Sequence, residues 1–424
     1  MRSDAKISGF SGLQAATVLC VIGIAVLLQG GALAQSIAAE GGAAGPVGVL
    51  FRFGWIAALA VAWGATFPDL PERLLRKEAG ALVLIGWLAF VILAGEALFR
   101  VADPISAAAM VLQWGGWVGI ALAVYLRLSG RAAANLLLWL TASVGLIALV
   151  PIVAETVFGV VLLKTPATFS GVSRHYGFNF SIALNGFQIA IGALAAAALA
   201  RLESPGWKQN VAIVIFGLLV LGLPLTTSRS AVWYFLIAFG LAMTICGAQR
   251  RRFWPEAGVF VATAGAICAV SAALGPEFWA FLTGAFDLTD PGNMARVGLM
   301  SGGVDYGSDP SNWPPPMTLM EFIQQVSLAA QSEYTNESSI VRFYHQAGIP
   351  GVFALTAFGL LVFWLILTKA PKPLMPFLLA LGMVFSGFSI TFDVLKSWVG
   401  LFYLFLFVGT VLALSSSDQS PTTA

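Results

Sequence analysis

The sequence is short of charge. Of its 424 residues only 10% are Asp, Glu, Lys or Arg, where a water-soluble domain carries about a quarter. Histidine and cysteine are scarcer still, at two and three. So few ligand-type side chains, scattered along the chain, predict no metal site and no disulfide framework. Cys20, Cys246 and Cys268 all lie inside apolar runs and read as small buried hydrophobes. A net charge of +2 excludes a nucleic-acid-binding surface of the usual basic kind. There is no Walker loop, no DxD-type acidic pair in an outer loop, no GxSxG and no HExxH. No cofactor, ATP use or hydrolase chemistry is therefore expected.

What the chain does have is apolar sequence, 58% of it, in long blocks. Many approach the ~20 residues that cross a bilayer as a helix. Continuous apolar runs lack the alternation of a transmembrane barrel, and only helices and closed barrels satisfy their backbone in lipid. The expected fold is an all-α polytopic membrane protein, with the bilayer as its first partner. Hydropathy predicts about twelve spans, near 13–33, 46–66, 79–98, 104–126, 133–155, 181–200, 210–227, 230–247, 256–275, 348–367, 374–392 and 396–414. The 45 glycines suit close helix packing, as in Gly115-Gly116-Trp117-Val118-Gly119. Ala32 to Gln35 resembles a signal-peptide cleavage site, but the long apolar stretch before it favours a retained first span.

Charge orients these spans. With the N-terminus in the cytoplasm, every cytoplasmic segment holds at least two basic residues. Together they hold fourteen of the 22 basic residues, against seven outside, with Arg52 inside a span. That is the positive-inside pattern, and it places both termini in the cytoplasm. The domains follow: spans one to nine over residues 1–275, an extracytoplasmic loop or cap over 276–347, spans ten to twelve over 348–414, and a disordered cytoplasmic tail over 415–424. Within the cap, Asn312 to Met317 ("NWPPPM") predicts a rigid turn. Met317 to Ala330 and Glu337 to Ala347 predict helices, and Gly348-Ile349-Pro350-Gly351 allows a sharp bend into the tenth span.

The outer arginines are informative because the charge bias disfavours them. Arg229 lies in a turn between two apolar runs, among the hydroxyls of Thr226, Thr227, Ser228 and Ser230. Arg174 lies in "GVSRHYGFNF", just before the sixth span. Arg296 lies in "PGNMARVG", early in the large loop. A guanidinium is a planar, permanently charged fork of donors suited to phosphate oxygens. A lone arginine at a span end is more often a snorkelling anchor or an ion-pair partner. Near the loop's end, Ser338, Arg342 and His345 share one helical face at i, i+4, i+7, behind Glu337 at the helix start.

These elements resemble the O-antigen ligase and Wzy-type polysaccharide polymerase superfamily. The likeness lies in "TTSRSAVWYFLIAF", in the upstream "RHYGFN", and in a long outer loop that opens with an Arg segment and closes with a helix ending "GIPG". It covers about residues 165 to 400. It implies a GT-C-like fold in the bacterial inner membrane with a periplasmic active site. It implies a metal-independent inverting glycosyltransferase acting on a glycan carried by undecaprenyl pyrophosphate. Carried over by motif, Arg174, Arg229 and Arg296 bind the pyrophosphate, with Ser228 and Arg342 in support. Ligases of the family begin the closing helix with His-Asn, where this chain has Glu337-Ser338. A carboxylate can also serve as general base, so Glu337 and His345 are both candidates. The missing histidine favours a polymerase of O-antigen or exopolysaccharide repeat units over a ligase onto lipid A core. A flippase would carry ionisable residues at mid-membrane, and few are present. Whether a chain-length-regulating membrane protein binds is left open.

Overall fold

The computed structural model describes residues 85–86, 130–160, 167–169, 172–174, 182–287, 289, 293–294, 297–298, 338–392, 394–396 and 398–415. Of 167–169, 174, 286, 341–348, 396 and 398 it describes the backbone alone. Apart from the helical pair 85–86, the first four expected spans lie outside these residues. So do most of the cap, including Asn312 to Met317 and Met317 to Ala330, and the tail beyond Ser415.

The other eight expected spans are all helices: α1 (Gly130–Phe158), α2 (Ile182–Leu202), α3 (Trp207–Gly222), α4 (Arg229–Arg250), α5 (Phe253–Ala273), α7 (Ser339–Lys369), α8 (Met375–Thr391) and α9 (Trp398–Ser415). Between α5 and α7 lies the short α6 (Pro276–Thr283). Among the described residues five helices are long and apolar enough to cross a membrane: α1, α2, α4, α5 and the Ile349–Lys369 part of α7. Large apolar side chains also cover the outside of the bundle. Ile213 and Val214 on α3, Val261 on α5, and Phe353 and Leu360 on α7 are exposed. Water does not tolerate such a surface, whereas lipid does. The described chain is a helical membrane bundle.

Its centre is α2, which is buried on nearly every side. Small residues make this possible. A Cβ on Gly145 of α1 would come within 3.0 Å of Gly192 Cα on α2, so these two backbones cross in direct contact. The run Ala193–Ala198 keeps the rest of α2 thin. Around it stand α1, α3, α4, α8 and α9. Phe187 of α2 packs edge-on against Phe385, Phe388 and Tyr403, joining α2 to α8 and α9. Several buried hydroxyls within the spans return to their own helix. Thr141, Thr263, Ser271 and Thr410 each donate to the carbonyl four residues back, which satisfies these four in apolar surroundings, whereas the Thr156 and Tyr403 hydroxyls are buried with no hydrogen-bond partner among the described residues.

Contacts between helix ends gather at the two ends of the bundle. At one end, Arg131 donates to the Leu202 carbonyl at 2.8 Å and Trp139 to Glu203 at 3.2 Å. Arg201 of α2 forms a two-pronged ion pair with the buried Glu256 of α5, which Arg250 of α4 approaches at 3.6 Å. At the other end meet the close of α1, the starts of α2, α4 and α7, and the end of α8.

Two features depart from expectation. The segment between α1 and α2 contains an antiparallel hairpin, β1 (Ala167–Phe169) and β2 (Val172–Arg174), with Ala167 paired to Arg174. Three-residue strands leave almost no periodic signal, so an all-helical reading overlooks them. The expected sharp bend at Gly348–Gly351 is instead continuous helix. Pro350 deprives only the Gln346 carbonyl of its donor, and α7 carries on through that single missing bond.

Candidate active site

The turn between α3 and α4 is built from its own hydroxyls. Leu149 of α1 fills the space beside Gly222, closing α3. Pro224 then starts a 3-10 turn, Pro224–Thr226. The Thr226 hydroxyl donates to the Leu223 carbonyl at 2.7 Å and accepts from the Ser228 N–H at 3.3 Å. Thr227 adopts a left-handed conformation, φ 52°, and its N–H donates to the Pro224 carbonyl at 3.0 Å. Its hydroxyl donates to the Thr226 carbonyl at 2.7 Å. Ser228 is the extended residue before α4 and is buried. Its Cβ lies 2.6 Å from where a Cβ on Gly186 of α2 would sit. All three residues are buried; the hydroxyls of Thr226 and Thr227 hold the turn, and Ser228 packs beside Gly186.

That rigid turn delivers Arg229 as the first residue of α4. Its guanidinium lies over the Phe281 ring, 4.8 Å from the centroid. Its Nη1 runs alongside Gly284, 3.4 Å from where a Cβ there would be. One helical turn on, Trp233 donates its indole N–H to the Leu282 carbonyl at 3.0 Å. Residues i and i+4 of α4 therefore grip consecutive residues of α6. Cation–π attraction favours this placement.

Three other elements reach this end. The β2 strand, which carries Arg174, approaches α6 within 8 Å between Cα atoms, the same helix that carries Phe281. Beyond α6, Asn293 donates to the carbonyls of Gly284, Ala285 and Asp287 at 3.1, 3.2 and 2.8 Å. It thereby folds the chain back toward Gly284, three residues before Arg296. The start of α7 is tied to the end of α8 and to the turn after it: the Ser338 hydroxyl donates to the Ser389 carbonyl at 3.5 Å, and the Leu395 N–H donates to the Ser339 hydroxyl at 3.3 Å. The Tyr234 hydroxyl of α4 donates to Thr391 of α8 at 3.0 Å.

Of the residues singled out in the sequence, Arg229 and Ser228 are placed with their side chains. Arg174 lies on β2 beside α6. Arg342 and His345 lie on the first two turns of α7, the end bound to α8. Glu337 and Arg296 lie outside the described residues. Among the described residues no three His, Cys, Asp or Glu side chains converge, so this part of the site offers no metal-ligand set.

Sequence reasoning missed α6, Phe281 and Asn293. A signal for α6 existed: Gly275-Pro276 is a helix start, and Phe278, Phe281 and Leu282 recur at helical spacing. All three are buried.

With this geometry in hand, comparison with protein-family models and with curated proteins finds no match to the chain.

Proposed function

We propose that the protein polymerises lipid-linked glycan repeat units, transferring a glycan from undecaprenyl pyrophosphate to a sugar hydroxyl of another unit at the periplasmic face. The observation that carries this reading is Arg229. Its guanidinium is set over Phe281 by a buried turn, at the same end as the backbone positions of Arg174, Arg342 and His345. Preorganised donors aimed at developing charge are often the largest catalytic contribution.

In this mechanism the bond from the anomeric carbon to the pyrophosphate oxygen breaks, and the arginines take up the developing negative charge. The acceptor hydroxyl attacks from the opposite side, so the configuration inverts. Its proton passes to Glu337 or His345, and undecaprenyl pyrophosphate leaves. The substitution of Glu337-Ser338 for His-Asn favours polymerase over ligase. The buried carboxylates of the described bundle, Glu155 and Glu256, lie at helix ends rather than at mid-span, which disfavours a flippase.

The test is to incubate purified protein with a lipid-pyrophosphate-linked repeat unit alone and to separate the products by size. A ladder that vanishes in Arg229→Ala is expected. Transfer only after lipid A core is added would make the protein a ligase. No product from folded protein would overturn the enzyme reading.

A further inference from the structure

The opposite end of the bundle carries a surface that catalysis at the Arg229 end does not use. The link between α4 and α5 is tight. Arg251 is left-handed, φ 51°, and its N–H and that of Arg252 bond back to Ala248 and Gly247 at 3.4 and 3.1 Å. A Cβ on Gly247 would meet Phe253 Cα at 3.2 Å, so the turn closes on a bare backbone. This geometry projects Arg251, Arg252, Phe253 and Trp254 from one corner, and all four are exposed, Trp254 to 83%.

Beside them stands the start of α3, where Trp207 is 71% exposed and Lys208 sits over its ring at 5.9 Å. The two corners are joined through the end of α2. Gln209 of α3 donates to the Ala200 carbonyl at 2.9 Å, and Arg201 is paired with Glu256 of α5. Glu256 is thereby engaged by Arg201 and approached by Arg250. Among the described residues Arg251 and Arg252 have no ion pair with a carboxylate.

We infer that this corner is a binding site for the phosphodiester headgroup of anionic phospholipids. Exposed indole rings beside cationic side chains at the ends of apolar helices suit the headgroup layer, where rings sit among glycerol and carbonyl groups and cations meet phosphates. The positive-inside bias places this end in the cytoplasmic leaflet, the anionic one. The guanidiniums of Arg251 and Arg252 can grip phosphate oxygens as a pair of donors, and Lys208 adds a third charge from the neighbouring helix. The inference is independent of the function proposed above.

The test uses the full chain, purified in a neutral detergent. Its Tm is followed while phosphatidylglycerol or chain-matched phosphatidylcholine is titrated in, with inorganic phosphate as a third arm. Phosphatidylglycerol should act at a mole fraction at least about tenfold lower than phosphatidylcholine, each cation near the surface being worth about fivefold. The combined variant Lys208→Gln, Arg251→Asn, Arg252→Gln should lose that preference, Asn being chosen because it tolerates the left-handed turn. Should that variant fail to fold, Lys208→Gln alone and the wild type at about 0.5 M salt, where exposed charges are screened, must each reduce the preference. Equal response to both lipids, a variant that keeps the full preference, or the same shift from inorganic phosphate would each overturn the proposal.

Discussion

Arg201 and Arg229 sit at opposite ends of the same bundle and are held in different ways. Arg201 is clamped by a buried carboxylate, Glu256, and serves to join α2 to α5. Arg229 is set over an aromatic ring, Phe281, by a turn whose Thr226 and Thr227 hydroxyls are spent on its own shape. A carboxylate cancels a guanidinium's charge as it fixes it. A ring attracts a guanidinium through its face without cancelling its charge. The first arrangement joins two helices, and the second, under the proposed function, meets an anion.

The sharpest way to break this comparison is at Arg229. Arg229→Ala should lower product formation by about 100-fold or more, the loss typical of a removed oxyanion donor, with unchanged protein level in the membrane. Arg229→Lys should recover only part, since an ammonium lacks the fork. Normal polymer from Arg229→Ala would end the catalytic reading.

Glu256→Ala should do the reverse, sparing the chemistry of folded protein while costing about 2–3 kcal/mol in detergent unfolding. That is below the 3–5 of a fully buried pair because Arg201 keeps part of its side chain in solvent. An unfolding curve indistinguishable from wild type would show that the pair contributes no net cohesion.

Gly145→Val tests the packing beneath both ends and should cost about 1–3 kcal/mol by overpacking the contact with Gly192. The smallest effect is expected from Tyr234→Phe. It removes one hydrogen bond to Thr391, worth about 0.6 kcal/mol inside a membrane bundle. A loss several-fold larger would mean that the α4–α8 contact organises more of the site than this one bond.

The helices from α1 onward could be read from the sequence because runs of about twenty apolar residues have one economical structure in lipid. Arg229 stood out for the same reason: a charge between two such runs contradicts its surroundings. The rest depended on tertiary contact. Nothing in "LTTSRS" says that its hydroxyls turn inward, since Thr226 and Thr227 could equally have faced a ligand. The partner of Arg229 comes from Phe281, 52 residues further along, and no local pattern links the two. The sharp entry that Gly348–Gly351 allows is not needed, since glycine and proline permit a kink without requiring one and the helix runs on through them.

The unbroken α7 also sets a height. Its 31 residues extend about 46 Å at 1.5 Å per residue. The apolar part, Ile349–Lys369, accounts for about 31 Å, close to the ~30 Å of hydrocarbon in a bilayer. The first ten residues therefore stand clear of the oil, like the graduated end of a dipstick. Measured along the axis, His345 lies about 6 Å above Ile349 and Arg342 about 10 Å, against a headgroup layer about 5–7 Å deep. The helix thus carries both residues at the level of lipid phosphates or just above it. Four residues inserted before Ile349 would lift them by about 6 Å, slightly more than a full turn, which under the proposed function takes them out of reach of a pyrophosphate whose depth is set by its lipid tail.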